Sequence, residues 1–177
     1  MNPEWQTEFR QRMAAFKSNQ IDSDKVAISI KVRATTGCFH QEHSPNAYEL
    51  IHSYQSSVQI TDASIEEHES GPEVLAWIAM TTAGISFSAA VINLVAAIIK
   101  ARSEGIRRGD RPSGSLELIV RGHSAKDAYF EETVLHIPSG HPVGPKEVEK
   151  VLLKALAGRV AKKPAKTKRK QPKKLKN

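Results

Sequence analysis

Cys38, His40 and His43 put one thiol and two imidazoles within six residues, in the pattern C-x-H-x-x-H. All three are zinc-type ligands, but a structural zinc takes four ligands and a catalytic zinc three plus water. A further donor could come from His52, His68 or Glu42, but no spacing selects one of them. The trio therefore reads as side chains of an exposed loop, and no metal is expected. His123 stands beside Ser124, with His136 and His141 further along. A serine becomes a nucleophile only with a base within hydrogen-bond reach, and adjacency in sequence is not that geometry. With no phosphate loop and no paired carboxylates, no catalytic residue, cofactor or enzymatic activity is assigned.

The densest chemistry is electrostatic. Residues 162–177 carry Lys162, Lys163, Lys166, Lys168, Arg169, Lys170, Lys173, Lys174 and Lys176 and no acid. The whole chain has a formal charge of +7, so removing these nine cations leaves −2 for residues 1–161. The basic character belongs to a tail, which is expected to be disordered because prolines interrupt it and it has almost no apolar residues. Such a run suits phosphates in a salt-sensitive, sequence-independent way, in nucleic acid or at an anionic lipid surface. Its lack of aromatic residues argues against stacking on single-stranded bases.

The element that must position everything else is the stretch 74–99, 26 residues without a charged side chain. As a helix it would reach about 39 Å, more than the ~30 Å of a bilayer core. A seven-residue order runs through it. Ala79, Ser86, Asn93 and Lys100 form one series, Thr82, Ala89 and Ala96 a second, and Ala83, Ala90 and Ala97 a third. On a helix these make a stripe of small residues, the pattern of a close left-handed helix–helix seam and hence of a homo-oligomer. A narrower reading has Ser86, Asn93 and Lys100 facing a water-filled pore. The competing reading is an apolar helix buried inside a soluble assembly.

On the N-terminal side, Asn2 and Pro3 open an amphipathic helix to about residue 19, with Trp5, Phe9, Met13 and Phe16 on one face. Its acids and lack of an apolar run make it neither a secretory signal nor a transit peptide. A half-buried alternating strand over 25–34, a helix over 46–56 and a second strand over 57–65 follow. Glu66, Glu67, Glu69 and Glu73 surround Gly71 and Pro72, where acids would favour the positive end of a following helix. Beyond the stretch, Lys100, Arg102, Arg107, Arg108 and Arg111 outnumber Glu104 and Asp110. By the positive-inside rule this puts the C-terminal side in the cytoplasm, a re-entrant or in-plane placement being the alternative. Strands over 115–121 and 129–137 and a helix over 146–156 complete the chain. The single cysteine cannot form an internal disulfide, which fits a reducing compartment.

The fold class is thus α+β. A helix plus strand-helix-strand unit (1–73) precedes a transmembrane or central apolar helix (74–99), a basic connector (100–114), a strand-strand-helix unit (115–158) and the tail (159–177). This order, with the apolar stretch, the strand SLELIVRG ending at Gly122, and VLHIP followed by PKEVEKVLLKAL, resembles the effector-associated constant component family of bacterial conflict systems. The resemblance covers residues 25–157. It implies a non-enzymatic companion of toxic or nucleotide-processing effectors in antiviral defence, partnered by an effector protein. The leading expectation is a single-pass inner-membrane protein that self-associates through its apolar helix, contacts lipid, and acts as scaffold, sensor or membrane-perturbing component. The alternative is a soluble, cytoplasmic, helix-cored oligomer binding nucleic acid or an acidic partner through the tail.

Overall fold

A computed structural model describes residues 3–18, 24–68, 71–124 and 128–159. Its elements, in order, are α1 (Pro3–Ser18), β1 (Lys25–Ala34), α2 (Pro45–Ser57), β2 (Ala63–His68), β3 (Gly71–Thr81), β4 (Gly84–Ser86), α3 (Ala89–Arg107), β5 (Leu116–His123), β6 (Tyr129–Ile137) and α4 (Pro145–Leu156). The strands form one antiparallel sheet in the order β2-β3-β1-β5-β6, with β4 folded back on β3. Strands from both sides of the apolar stretch therefore share a sheet.

The 74–99 stretch is not one helix. It supplies the C-terminal part of β3, a turn at Thr82 and Ala83, the short β4, and only the first eleven residues of α3. Gly84 takes φ +132° after the turn, a backbone state that glycine adopts without a Cβ clash. Ser88 then caps α3, its hydroxyl accepting from the Val91 N–H at 3.2 Å. The physical reason for the misreading is burial on both faces. β3 lies between β2 and β1 and is packed above and below, so it reads as a continuous apolar run, which periodicity cannot tell from a buried helix. No helix among the described residues is long and apolar enough to cross a membrane. The single-pass membrane expectation, and with it the transmembrane and pore readings, is corrected accordingly.

One sheet face carries Ile28, Ile30, Val32, Val74, Ala76, Ile78, Leu118 and Val120, and α2, α3 and α4 pack on it to form the main core. The other face is covered by α1, where Phe9, Met13 and Phe16 meet Ala27, Leu75, Trp77 and Tyr129. β1, expected half-buried, is therefore buried through its centre. The second strand begins at Ala63 rather than at 57, because pairing with β3 starts at Ala63↔Ala76 and α2 runs on to Ser57. Glu66 and Glu73, expected at a helix entrance, sit opposite each other on β2 and β3. Like charges across a strand pair repel, and Arg12 of α1 reaches both, 3.1 Å from Glu66 and 3.7 Å from Glu73.

Arg102, counted among the cations of the basic connector, is 1% exposed. Its guanidinium donates to Ser44 Oγ (2.6 Å), Ser113 Oγ (3.1 Å) and the carbonyls of Cys38 (3.2 Å) and Arg111 (2.8 Å), and it stacks over Phe39. Burial lowers its pKa while Asp110 acts the other way. Asp110 in turn caps α2, accepting from the Asn46 and Ala47 N–H groups at 3.0 and 2.9 Å. Two loops and two helix ends are thereby locked to one another.

Candidate functional site

The outer surface of the helical layer is concave. α3 forms its floor, the C-terminal half of α2 one wall, and the loop 138–144 the other. That loop is turn-built. The His141 N–H donates to the Pro138 carbonyl at 3.0 Å and Gly140 takes φ +75°, while Pro145 opens α4. Buried Val148, Leu152 and Leu156 hold α4, and with it the loop, against the core.

Two adjoining hollows of about 470 and 450 Å³ share Tyr54, Ala97, Lys100 and Glu104 and so make one trough. Ala96, Ala97, Ile99 and Val143 give it an apolar floor and wall. Asn93, Lys100, Ser103, Arg107 and His141 bring polar atoms to it, and Arg108 borders the second hollow. Glu104 is the lone acid lining either hollow and pairs with Arg107 at 3.2 Å and Arg108 at 3.4 Å. Lys100, exposed on the same helix face, has no carboxylate within 4 Å among the described residues. Cations above an apolar floor can take an anionic group joined to an apolar body, because the charge stays at the wet rim while the body is desolvated.

A second polar cluster lies beneath α1. Glu73, Ser29, Lys31 and Arg121 are each 3% exposed or less. Ser29 Oγ donates to Glu73, and Arg121 approaches Glu73 and Glu131 at 3.7 and 3.4 Å. Burial foremost, then Arg121, lowers the Lys31 pKa to about 8. Covered by a helix and closed by internal ion pairs, this cluster holds the sheet face together and presents nothing to a ligand.

The structure disperses the other sequence-derived residues. The His40 N–H donates to Cys38 Sγ at 3.4 Å, yet no group of three or more His, Cys, Asp or Glu side chains among the described residues could hold a metal ion. His123 lies edge-on to Tyr129, His136 lies 3.4 Å from Glu117, and His52 tilts against Tyr48. Of the small-residue series, Ala79 pairs with Ser86 in the β3–β4 hairpin and Thr82 and Ala83 are exposed in its turn. Ala89, Ala90, Asn93, Ala96 and Ala97 are on α3. Asn93, Ala96, Ala97 and Lys100 come together in the trough, while the members before Ser88 do not. The tail cations from Lys162 to Lys176 lie outside the described residues. Tyr54, Ser103 and Arg107 were missed in the sequence. The spacing of Lys100 and Arg107 by two helical turns was the available signal, and it becomes visible only once α3 is started at Ser88.

No protein-family model, curated protein or solved structure matches this chain.

Proposed function

We propose that this chain is a binding protein, not a catalyst, that holds an anionic, partly apolar ligand in the trough along α3, with the lysine-rich tail extending its electrostatic reach. The observation that carries this reading is the joining of an apolar floor to a cationic rim at Lys100, Arg107 and Arg108. A nucleic-acid backbone would use the cations but has no need of the floor, since phosphate contacts are charge contacts. An acidic partner uses both. The tail adds cations of the same sign, so the two regions attract one class of ligand instead of competing for opposite ones.

Sodium decanoate, a carboxylate on an apolar chain, is the direct probe, read by amide chemical shifts of the labelled full chain. Shifts should concentrate on residues 93–107, Tyr54 and residues 140–143. Charge reversal in the double variant Lys100→Glu, Arg107→Glu should weaken binding about tenfold, or roughly 1.4 kcal/mol. Shifts spread over the sheet, or binding unchanged in that variant, would remove the trough from its assigned role.

A further inference from the structure

We infer that the occupant of the trough is an acidic amphipathic helix of a protein partner, an inference that rests on the trough reading above. The floor runs along α3 from Asn93 to Arg107, about 21 Å at ~1.5 Å per residue. That is the length of three to four helical turns, and longer than a single short carboxylate ligand needs. The walls are a helix and a turn-built loop, and neither hollow is lined by a residue of any strand. An extended peptide would find no sheet edge to satisfy its backbone there, whereas a helix satisfies its own. Ala96 and Ala97 at the centre of the floor have side chains of one carbon, so a second helix can approach α3 closely, as packing by ridges and grooves requires.

Charge selects the sign of that helix. Lys100, Arg107 and Arg108 face one acid, Glu104. Glu104 is engaged within α3 by both arginines, which leaves Lys100 as the cation best placed to pair with a carboxylate of the incoming helix. Apolar residues at positions i, i+3, i+4 and i+7 of the partner would meet Ala97 and Val143, with Asp or Glu on the flank facing Lys100 and Arg107.

The test is selection of a phage-displayed library of random peptides about 15 residues long, the span of the floor, on the full chain. Enriched sequences should combine the apolar helical spacing with a surplus of Asp and Glu. As synthetic peptides they should bind the Lys100→Glu, Arg107→Glu variant about tenfold less tightly. Ala97→Trp fills the floor without changing charge and should weaken the same peptides to a similar extent. Thermal unfolding of both variants is measured alongside, and with Lys100 and Arg107 exposed the charge variant should melt like the parent. Enrichment of proline-rich or alternating sequences, equal binding to both variants, or displacement of the peptides by a short DNA duplex would each overturn the helix. If decanoate still binds the trough while no helical peptide is enriched, the helix inference falls and the anionic-ligand reading stands. If decanoate fails too, both fall.

Discussion

At the scale of single residues, Arg102 illustrates how much one side chain does when it is buried with its partners. Four hydrogen bonds and an aromatic face surround it. Arg102→Met leaves the buried Ser44 hydroxyl without its donor and breaks three part-buried hydrogen bonds, and should cost about 3 kcal/mol in urea unfolding. Lys31 gives the opposite lesson. Its pKa falls from 10.5 to about 8, first through burial and then through Arg121 and Arg33, with Glu73 and Glu131 opposing. The folded state therefore disfavours the charged amine that the unfolded chain keeps. Below pH 8 the full penalty applies, on the order of 3 kcal/mol, and it disappears as pH rises from 8 towards 10.5. The urea midpoint should rise between pH 7 and 9.5, and Lys31→Met should flatten that rise. Above pH 10 the trend reverses, because burial raises the pKa of both Tyr48 and Tyr129 and their ionisation then favours the unfolded chain.

At the scale of elements, α2 depends on a cap that local sequence does not disclose. Ser44 stands at its N-cap without a capping bond, because its hydroxyl serves Arg102, and Asp110, 64 residues beyond Asn46, takes over. Asp110→Ala should destabilise by about 1–2 kcal/mol in the same assay. Gly105→Ala should cost at least as much, since a Cβ there would lie 2.2 Å from Asp110 Oδ2 and 2.7 Å from the Ala47 Cβ. The α1 helix is the separable element, docked through Phe9, Met13 and Phe16 in a cluster apart from the main core. Phe9→Ala should remove about 3 kcal/mol of packing. Amide exchange should then accelerate in α1 while β1, β3 and β5 stay protected, the behaviour of a locally unfolding unit.

At the scale of the whole molecule, charge is divided between an almost neutral body and a strongly basic tail. The nine cations of residues 162–177 would draw the chain to an anionic lipid surface electrostatically. Any fraction found on membranes should be released at about 1 M salt, where the screening length falls to about 3 Å. Retention after that wash would point to an apolar anchor instead.

Much of the chain was legible before folding. The alternation in 25–34 and 129–137, Pro3 opening α1, and the turn-rich segment before α4 are local signals, and the strands and helices stand where those signals lie. The tail's charge is likewise a property of composition alone. What sequence could not decide was the fate of residues 74–99. An uncharged run satisfies a membrane helix, a buried helix or a central strand equally well, because each surrounds it with apolar atoms. Only the neighbours β1 and β2, which take up the backbone hydrogen bonds of β3, choose between them. The same tertiary choice capped α3 at Ser88, turned the seven-residue series into a hairpin plus half a helix face, and brought Asn93, Ala97 and Lys100 opposite a loop about forty residues away. The trough exists because side chains from three distant segments meet over one helix, which spacing along a single segment cannot specify.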